Sequence, residues 1–317
     1  MVKASSNGLS SDLAGGADTI VARATASGRG ALAVIRISGS ETPAIAQRLC
    51  PELRFSRGWK AALVGLFDAN GESHERAVAI PYPGPGSYTG EDMLEVSVHG
   101  SPYLVEAAIE TCVAAGARRA EAGEFTRRAV ANGKLDLIQA EAVADLIEAD
   151  SASQLRNARE QLAGRLSAEF LELRHNLVGV LALIEAELDY EAQGVAVDGE
   201  TTRGRLAVCS AQLEDLLGRA GAGDRIREGL QTVILGPPNA GKSTLFNRLC
   251  GSDRAIVSPQ PGTTRDVIDA EIEIAGVRIV LHDTAGLRVG GGAVEAEGHR
   301  RARGAAAAAD LAIFLWP

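Results

Sequence analysis

The stretch Gly236-Pro237-Pro238-Asn239-Ala240-Gly241-Lys242-Ser243-Thr244 combines residue types suited to one task, the cradling of a phosphate chain. Gly236, Gly241, Lys242 and Ser243 fit the spacing G-x-x-x-x-G-K-[ST]. The apolar run Thr232-Val233-Ile234-Leu235 precedes them as a strand, and Leu245-Phe246-Asn247-Arg248-Leu249 follows as a helix. A polyphosphate needs several backbone N–H groups turned inward, and side chains would obstruct that approach. Gly241 lets the chain curl, and the following helix presents its positive end to the anion. Lys242 reaches the outer phosphates, and the Ser243 hydroxyl suits Mg²⁺. A chance glycine-rich turn is the bland alternative, and the strand–loop–helix context weighs against it.

Two further stretches extend this chemistry. Val277–Leu281 is a short apolar run ending at His282-Asp283-Thr284-Ala285-Gly286. An Asp at a strand end, followed by a Gly whose N–H can swing toward a terminal phosphate, suits a nucleotide hydrolase that holds Mg²⁺ and senses the last phosphoryl group. Between the two lies Pro261-Gly262-Thr263-Thr264-Arg265-Asp266. A loop Thr there can complete the metal shell only while the terminal phosphate is present. This order is the one expected of a guanine-nucleotide switch domain.

The elements that must position these residues follow from the rest of the chain. Its 317 residues suffice for two domains, or for one plus an insertion. Hydrophobic content of 46% and charged content of 23% are those of an ordinary globular protein. Aromatics make up only 4%, so the cores must rely on Ala, Val, Leu and Ile. A net charge of −9 argues against wholesale coating of nucleic acid, although Arg118-Arg119, Arg127-Arg128 and Arg300-Arg301-Arg303 could form local patches. Solvated helix charges are the plainer reading of those arginines. Cys50, Cys112, Cys209 and Cys250 have no metal-ligand spacing and read as free thiols in a reducing compartment. No run approaches the ~20 apolar residues that span a bilayer, and the first residues lack a signal-peptide core. A cytoplasmic protein with a disordered lead-in over 1–17 is expected.

Thr19–Ala24, Ala31–Ile37, Ala61–Phe67, Ala77–Ile80 and Met93–His99 read as strands. Ser40–Cys50, with a Ser cap, Pro102–Ala115 and Glu124–Asn132 read as helices. The first part is therefore α+β with a mixed or antiparallel sheet. From Leu135 to about Tyr190 the chain turns helical. Leu155, Leu162, Leu166, Phe170, Leu173, Leu177, Leu181, Ile184 and Leu188 form one stripe, predicting a long helix capped at Asp150-Ser151. A break follows at Gln193–Gly199, then a helix over Thr201–Ala220 ended by Gly221-Ala222-Gly223. From about Ile226 strands and helices alternate, the mark of a parallel sheet, with a hairpin turning at Gly276, a helix over Val294–Ala309 and a last strand over Asp310–Trp316.

The combination resembles the potassium-dependent tRNA-modification GTPases of the MnmE (TrmE) family. The family-specific stretches are Gly28-Arg29-Gly30, Arg36-Ile37-Ser38-Gly39, Pro83-Gly84-Pro85, Tyr88-Thr89-Gly90-Glu91-Asp92, His99-Gly100, Gly123-Glu124-Phe125-Thr126 and Asn132-Gly133-Lys134-Leu135-Asp136. The resemblance implies a multidomain α+β and α/β chain: an N-terminal dimerisation and folate domain over 18–134, a helical-bundle domain over 135–225, and an incomplete Ras-like P-loop GTPase domain over 226–317. It implies a homodimer formed through the N-terminal domain and work with the flavoprotein MnmG (GidA). Their substrate would be certain tRNAs, modified at carbon five of the wobble uridine with a 5-formyl-tetrahydrofolate derivative as one-carbon donor.

Position by position, the resemblance assigns folate contacts to Arg36, Glu95 and Lys134, which by themselves read as ordinary strand or surface charges. It assigns GTP contacts to Asn239, Ala240, Gly241, Lys242, Ser243 and Thr244, to Ser258, Pro259, Gln260, Pro261, Gly262 and Thr263, and to Asp283, Thr284, Ala285 and Gly286. Ser243 and Thr264 would ligate Mg²⁺, with Asp283 acting through water. Where many GTPases use an arginine finger, this family places K⁺, here reached by Asn239, Ser258, Gln260 and Thr263. Leu287 cannot orient water, and the resemblance assigns that catalytic role to Glu295, beside Lys242; a solvent-facing helix-start charge is the plainer reading of Glu295. The base-reading Asn-Lys-x-Asp does not occur in the 317 residues, so the chain reads as a C-terminally truncated member. That leaves two other readings open: a folate-binding dimerisation module with an inactive switch domain, and a P-loop ATPase.

Overall fold

A computed structural model of the chain describes residues 18–55, 59–68, 70–191, 199–237, 239–251, 269–282 and 309–316. It divides into two compact units, Met1–Ala140 and Glu141–Pro317.

The first unit is built on strands β1 (Ile20–Arg23), β2 (Gly30–Ser38), β3 (Ala62–Phe67), β4 (Ser73–Tyr82), β5 (Met93–Gly100) and β6 (Arg118–Arg119), in the order β3-β4-β5-β2-β1-β6. The sheet is mixed: β1 and β6 run parallel and the other neighbours antiparallel. Period-two alternation sends Ala33, Ile35, Ile37, Leu94, Val96 and Val98 to one face, where they are buried. Helices α1 (Thr42–Leu49) and α2 (Pro102–Ala114) close that core with Ile45, Leu49, Val105, Ile109 and Cys112. The other face carries Arg36 and Glu95 at directly paired positions. Helix α3 (Glu124–Ala131) follows. The expected Ser cap of α1 is not the one formed. The cap position belongs to Glu41, whose N–H donates to Thr19 Oγ1 at 2.9 Å.

The second unit begins within α4 (Leu137–Glu148) and continues through α5 (Ala152–Leu162), α6 (Arg165–Glu191) and α7 (Gly199–Glu228). Ser151 caps α5, accepting from the Gln154 N–H. The long helix expected from that cap is in fact two. Gly164, at φ 81°, reverses the backbone between α5 and α6, a conformation that costs a side-chain-bearing residue about 1–2 kcal/mol. The expected stop at Gly221-Ala222-Gly223 is also absent, and α7 runs on to Glu228. Its end is anchored instead: Arg225 Nε donates to Asp310 at 3.0 Å, and Arg227 pairs with Glu141 at 2.9 Å and Asp145 at 3.1 Å. Helices α6 and α7 lie antiparallel, joined by Asn176–Gln212 and Glu169–Arg219 contacts. The break expected over Gln193–Gly199 falls mostly outside the described residues, as does most of the helix expected over Val294–Ala309.

A four-stranded sheet completes this unit, with β7 (Leu230–Leu235), β8 (Asp269–Ile274), β9 (Val277–His282) and β10 (Leu311–Phe314) in the order β10-β7-β9-β8. β7 runs parallel to both β9 and β10, and β8 pairs antiparallel with β9 through the expected hairpin at Ala275-Gly276. Helix α8 (Lys242–Cys250) packs Phe246 against Ile234, Ile272 and Leu281. Cys50, Cys112 and Cys209 are buried free thiols and Cys250 is half-buried. Burial pushes the Cys50 thiol up to about 12, which keeps it protonated and unreactive.

Candidate functional site

The phosphate-loop residues sit where a parallel sheet can use them. β7 ends at Leu235, and the chain turns at Gly236 (φ 147°), passes Asn239 in a left-handed conformation (φ 62°), and enters α8 through Gly241 (φ 90°). Positive φ at these three positions curls the chain into the N-terminus of α8, and the N-terminus of a helix can receive an anion. The Lys242 ammonium closes the loop, donating to the Gly236 carbonyl at 2.9 Å and the Pro237 carbonyl at 2.8 Å. Ser243 and Thr244 lie exposed on the first turn of α8, and Asn239 is exposed within the loop. β9 is parallel to β7 and pairs His282 with Val233, so the chain leaving β9 toward Asp283 departs from the same edge of the sheet as the loop. Ligands of open parallel sheets bind at this carboxyl edge.

Gly236 has a second constraint besides its φ. A Cβ there would lie 2.4 Å from the Leu315 carbonyl oxygen, which is backbone and cannot swing aside. Gly236→Ala should therefore displace the end of β10 or the loop itself and destabilise the second unit by about 2–4 kcal/mol. Thermal unfolding would register this, whereas Gly221→Ala, within α7 and in open space, should leave stability unchanged or raise it.

Ser258, Pro259, Gln260, Pro261, Gly262, Thr263, Thr264, Asp283, Thr284, Ala285, Gly286 and Glu295 lie outside the described residues. Among the described residues, no group of three or more His, Cys, Asp or Glu side chains could hold a metal. The donors at hand are hydroxyl and amide oxygens, Ser243 and Asn239, which suit hard cations.

In the first unit, Arg36 and Glu95 form an ion pair on the open sheet face, with Nη2 2.7 Å and Nε 2.9 Å from Glu95 Oε1. The Arg36 guanidinium also lies over the Tyr88 ring at 5.3 Å and the Phe125 ring at 5.6 Å. The Tyr82 hydroxyl donates to Glu95 Oε2 at 3.4 Å, and burial followed by the Glu95 carboxylate pushes its phenol up. Lys134 does not join this pair directly. Its ammonium donates to the Pro85 carbonyl at 3.1 Å, in the same 83–92 loop that carries Tyr88. The result is a charged pair walled by aromatic rings, able to meet a flat polar heterocycle on its edge and face.

That loop is held by residues whose role is not evident from their sequence positions. Arg128 had the plain reading of a solvated helix charge, but it is 1% exposed. Its Nη1 donates to the Asp18 carbonyl at 2.8 Å and to both Glu91 oxygens at 3.2 Å, and its Nη2 donates to Asp18 Oδ1 at 2.8 Å and Glu124 Oε1 at 3.1 Å. Glu124, 2% exposed, also accepts a two-armed bond from Arg118 and the Glu121 N–H. Glu91 further accepts from the Ser38 hydroxyl at 2.7 Å. The Arg118 guanidinium, against the opposing effect of burial and with help from the Glu121 N–H and Arg128, holds the Glu124 carboxyl at about 2, below its ordinary 4.5.

A carboxyl depressed on folding contributes stability that is fully present above about 4.5 and is lost as pH falls through about 2. Acid titration of stability should fall across that window in the native chain. In Glu124→Gln that part of the slope should vanish, as measured by urea midpoints at stepped pH.

A strand–loop–helix with this spacing at the carboxyl edge of a parallel sheet, in a chain that also carries a six-stranded mixed-sheet unit, defines a multidomain α+β and α/β protein. Residues 19–134 match the family described as "GTP-binding protein TrmE N-terminus", and residues 137–311 match the "MnmE helical domain". The chain is 47% identical over 299 residues to the tRNA modification GTPase MnmE of Phenylobacterium zucineum (strain HLK1), covering 94% of this chain and 67% of that protein. It is 45% identical over 299 residues to the protein of the same name from Caulobacter vibrioides, covering 94% and 66%. To that of Azoarcus sp. (strain BH72) it is 44% identical over 288 residues, covering 90% and 63%. The chain belongs to the MnmE family of tRNA modification GTPases. It spans about two-thirds of the length of these relatives.

Proposed function

We propose that this chain binds GTP with Mg²⁺ at Gly236–Thr244 and hydrolyses it as part of tRNA wobble-uridine modification. The observation that carries this reading is the Lys242 ammonium poised on two loop carbonyls beneath a left-handed Gly241 at the start of α8. Phosphate oxygens, being ionised, are stronger acceptors than those carbonyls, so the lysine can exchange one set for the other. Ser243 would hold Mg²⁺ with Thr264, and with Asp283 through water, while Asn239, Ser258, Gln260 and Thr263 would hold K⁺. Mg²⁺ and K⁺ supply positive charge to the phosphoryl oxygens during transfer. Glu295 positions the attacking water.

The first unit would bind the 5-formyl-tetrahydrofolate derivative, with Glu95 and Arg36 on the heterocycle and Lys134 on a carboxylate of the tail. It would also form the homodimer. MnmG and tRNA would be the partners, in the cytoplasm. Among the described residues no helix is long and apolar enough to cross a membrane.

The test is hydrolysis by the chain in K⁺ and in Na⁺, with GTP and ATP competing for a fluorescent nucleotide. Faster turnover in K⁺ and preferential displacement by GTP are expected. Equal rates in both salts would remove the K⁺ role, and equal displacement by ATP would favour a P-loop ATPase. Folate binding without any magnesium-dependent hydrolysis would leave the folate module alone.

A further inference from the structure

Helix α5 begins with three buried polar residues in its first turn: Ser151, Ser153 and Gln154 are 5%, 8% and 8% exposed. Capping α5 requires only one hydroxyl, the one Ser151 supplies to the Gln154 N–H. Two further bonds lead out of the helix, to the turn that precedes β9 and to the end of α7 that precedes β7. The Ser153 N–H donates to the Gly276 carbonyl at 2.9 Å, at the turn of the β8–β9 hairpin. β9 runs from that turn directly to Asp283. Gln154 Nε2 donates to the Arg227 carbonyl at 2.8 Å, two residues before Gly229, where the chain bends into β7 and on to the phosphate loop. Gln154 Oε1 is itself fixed, accepting from the Asp150 N–H at 2.9 Å and the Ser151 hydroxyl at 3.0 Å.

Charges reinforce both attachments. Arg227 reaches back to Glu141 and Asp145 on α4, and Arg278 on β9 bonds Glu271 at 2.8 Å with Asp150 4.0 Å away. Between them lies a cavity of about 50 Å³ lined by Gln154, Asn157, Arg227 and Arg278 among others. Arg278 Nε is buried without a hydrogen-bond partner among the described residues. A polar void of that size has room for water, so the contact can rearrange without stranding a dry charge.

We propose that the first turn of α5 is the linkage between nucleotide and helices, with Ser153 and Gln154 as positioning residues for the strands that carry Asp283 and the phosphate loop. The inference rests on the proposed GTP reading, since the nucleotide is what would shift those strands. A small movement of β9 pulls on Ser153 through Gly276, and one of β7 pulls on Gln154 through the end of α7. Packed elements respond to such pulls by switching arrangement rather than by stretching.

Hydrogen–deuterium exchange of the full chain tests this, with and without a non-hydrolysable GTP analogue plus Mg²⁺. In the native chain the analogue should alter exchange in two places, over 241–250 and over 151–160. Gln154→Met removes the bond to Arg227 and the two it accepts. Ser153→Pro removes the N–H to Gly276 together with the hydroxyl 3.2 Å from that of Ser151, in a first helical turn where proline is tolerated. Each should keep the response at 241–250 and lose that at 151–160, and the two variants cover one another should either fail to fold. A change at 151–160 undiminished in both variants overturns the proposal, as does protection at 241–250 in the native chain with none at 151–160. No protection at 241–250 under saturating analogue would instead overturn the GTP reading, and this proposal with it.

Discussion

Arg128→Met should lower the stability of the first unit by about 3–5 kcal/mol, the usual consequence of removing one member of a buried ion network. Methionine fills much of the same volume, so the loss would come from charge rather than from a cavity. Glu124 would remain with its carboxylate buried and Glu91 with its carboxylate half-buried, and Asp18 would lose two of its bonds. Arg118, already bonded to Glu124 and Asp18, could neutralise only part of that charge. Arg127 supplies the control. It is the neighbouring residue, its side chain is 47% exposed, and its pairs with Glu121 and Glu124 lie at 3.3 and 3.5 Å. Arg127→Met should change stability by no more than about 1 kcal/mol. Urea denaturation at neutral pH would separate the two, and equal effects would mean that the network is not what holds the loop. The loop matters because Glu91 and Tyr88 share it: releasing the first frees the ring that covers Arg36.

Lys242→Ala should reduce affinity for a Mg²⁺–GTP analogue by about 100-fold or more, because it removes charge-assisted bonds each worth about 1.5–3 kcal/mol. Stability without nucleotide should change little, since the two carbonyls that Lys242 now bonds lie in a loop that water can reach and resolvate. Lys242→Arg should not restore binding, because a planar, longer fork cannot place a compact charge inside a loop this tight. Calorimetric titration of the three proteins decides the matter. An alanine variant binding within about threefold of the native chain would show the lysine to be a bystander.

How much of this could be read in advance depended on how local each signal was. Five strands of the first sheet were legible as short apolar runs between turn residues, whereas β6, the two-residue Arg118-Arg119, was not; the hairpin at Ala275-Gly276 came from a turn residue between two apolar runs. The strand–loop–helix was legible because its motif is contiguous. The division of α5 from α6 was not, because the apolar spacing passes from Leu162 to Leu166 without changing phase while Gly164 reverses the backbone between them. Gly221 and Gly223 misled in the other direction. Each glycine costs a helix about 1 kcal/mol, but the far end of α7 is secured by Arg225 and Arg227, whose partners lie distant in the chain. Arg128 was hidden for the same reason: Asp18 stands 110 residues away and Glu91 37. The bonds of Ser153 to Gly276 and of Gln154 to Arg227 likewise join segments that only the fold brings together.

The most direct test of the nucleotide assignment is a crystal of the chain soaked with a non-hydrolysable GTP analogue and Mg²⁺. The Lys242 ammonium should leave the Gly236 and Pro237 carbonyls for phosphate oxygens, with the polyphosphate lying against the first turn of α8. A lysine still bonded to those two carbonyls at saturating ligand, beside a loop without density or with nucleotide bound elsewhere, would contradict it.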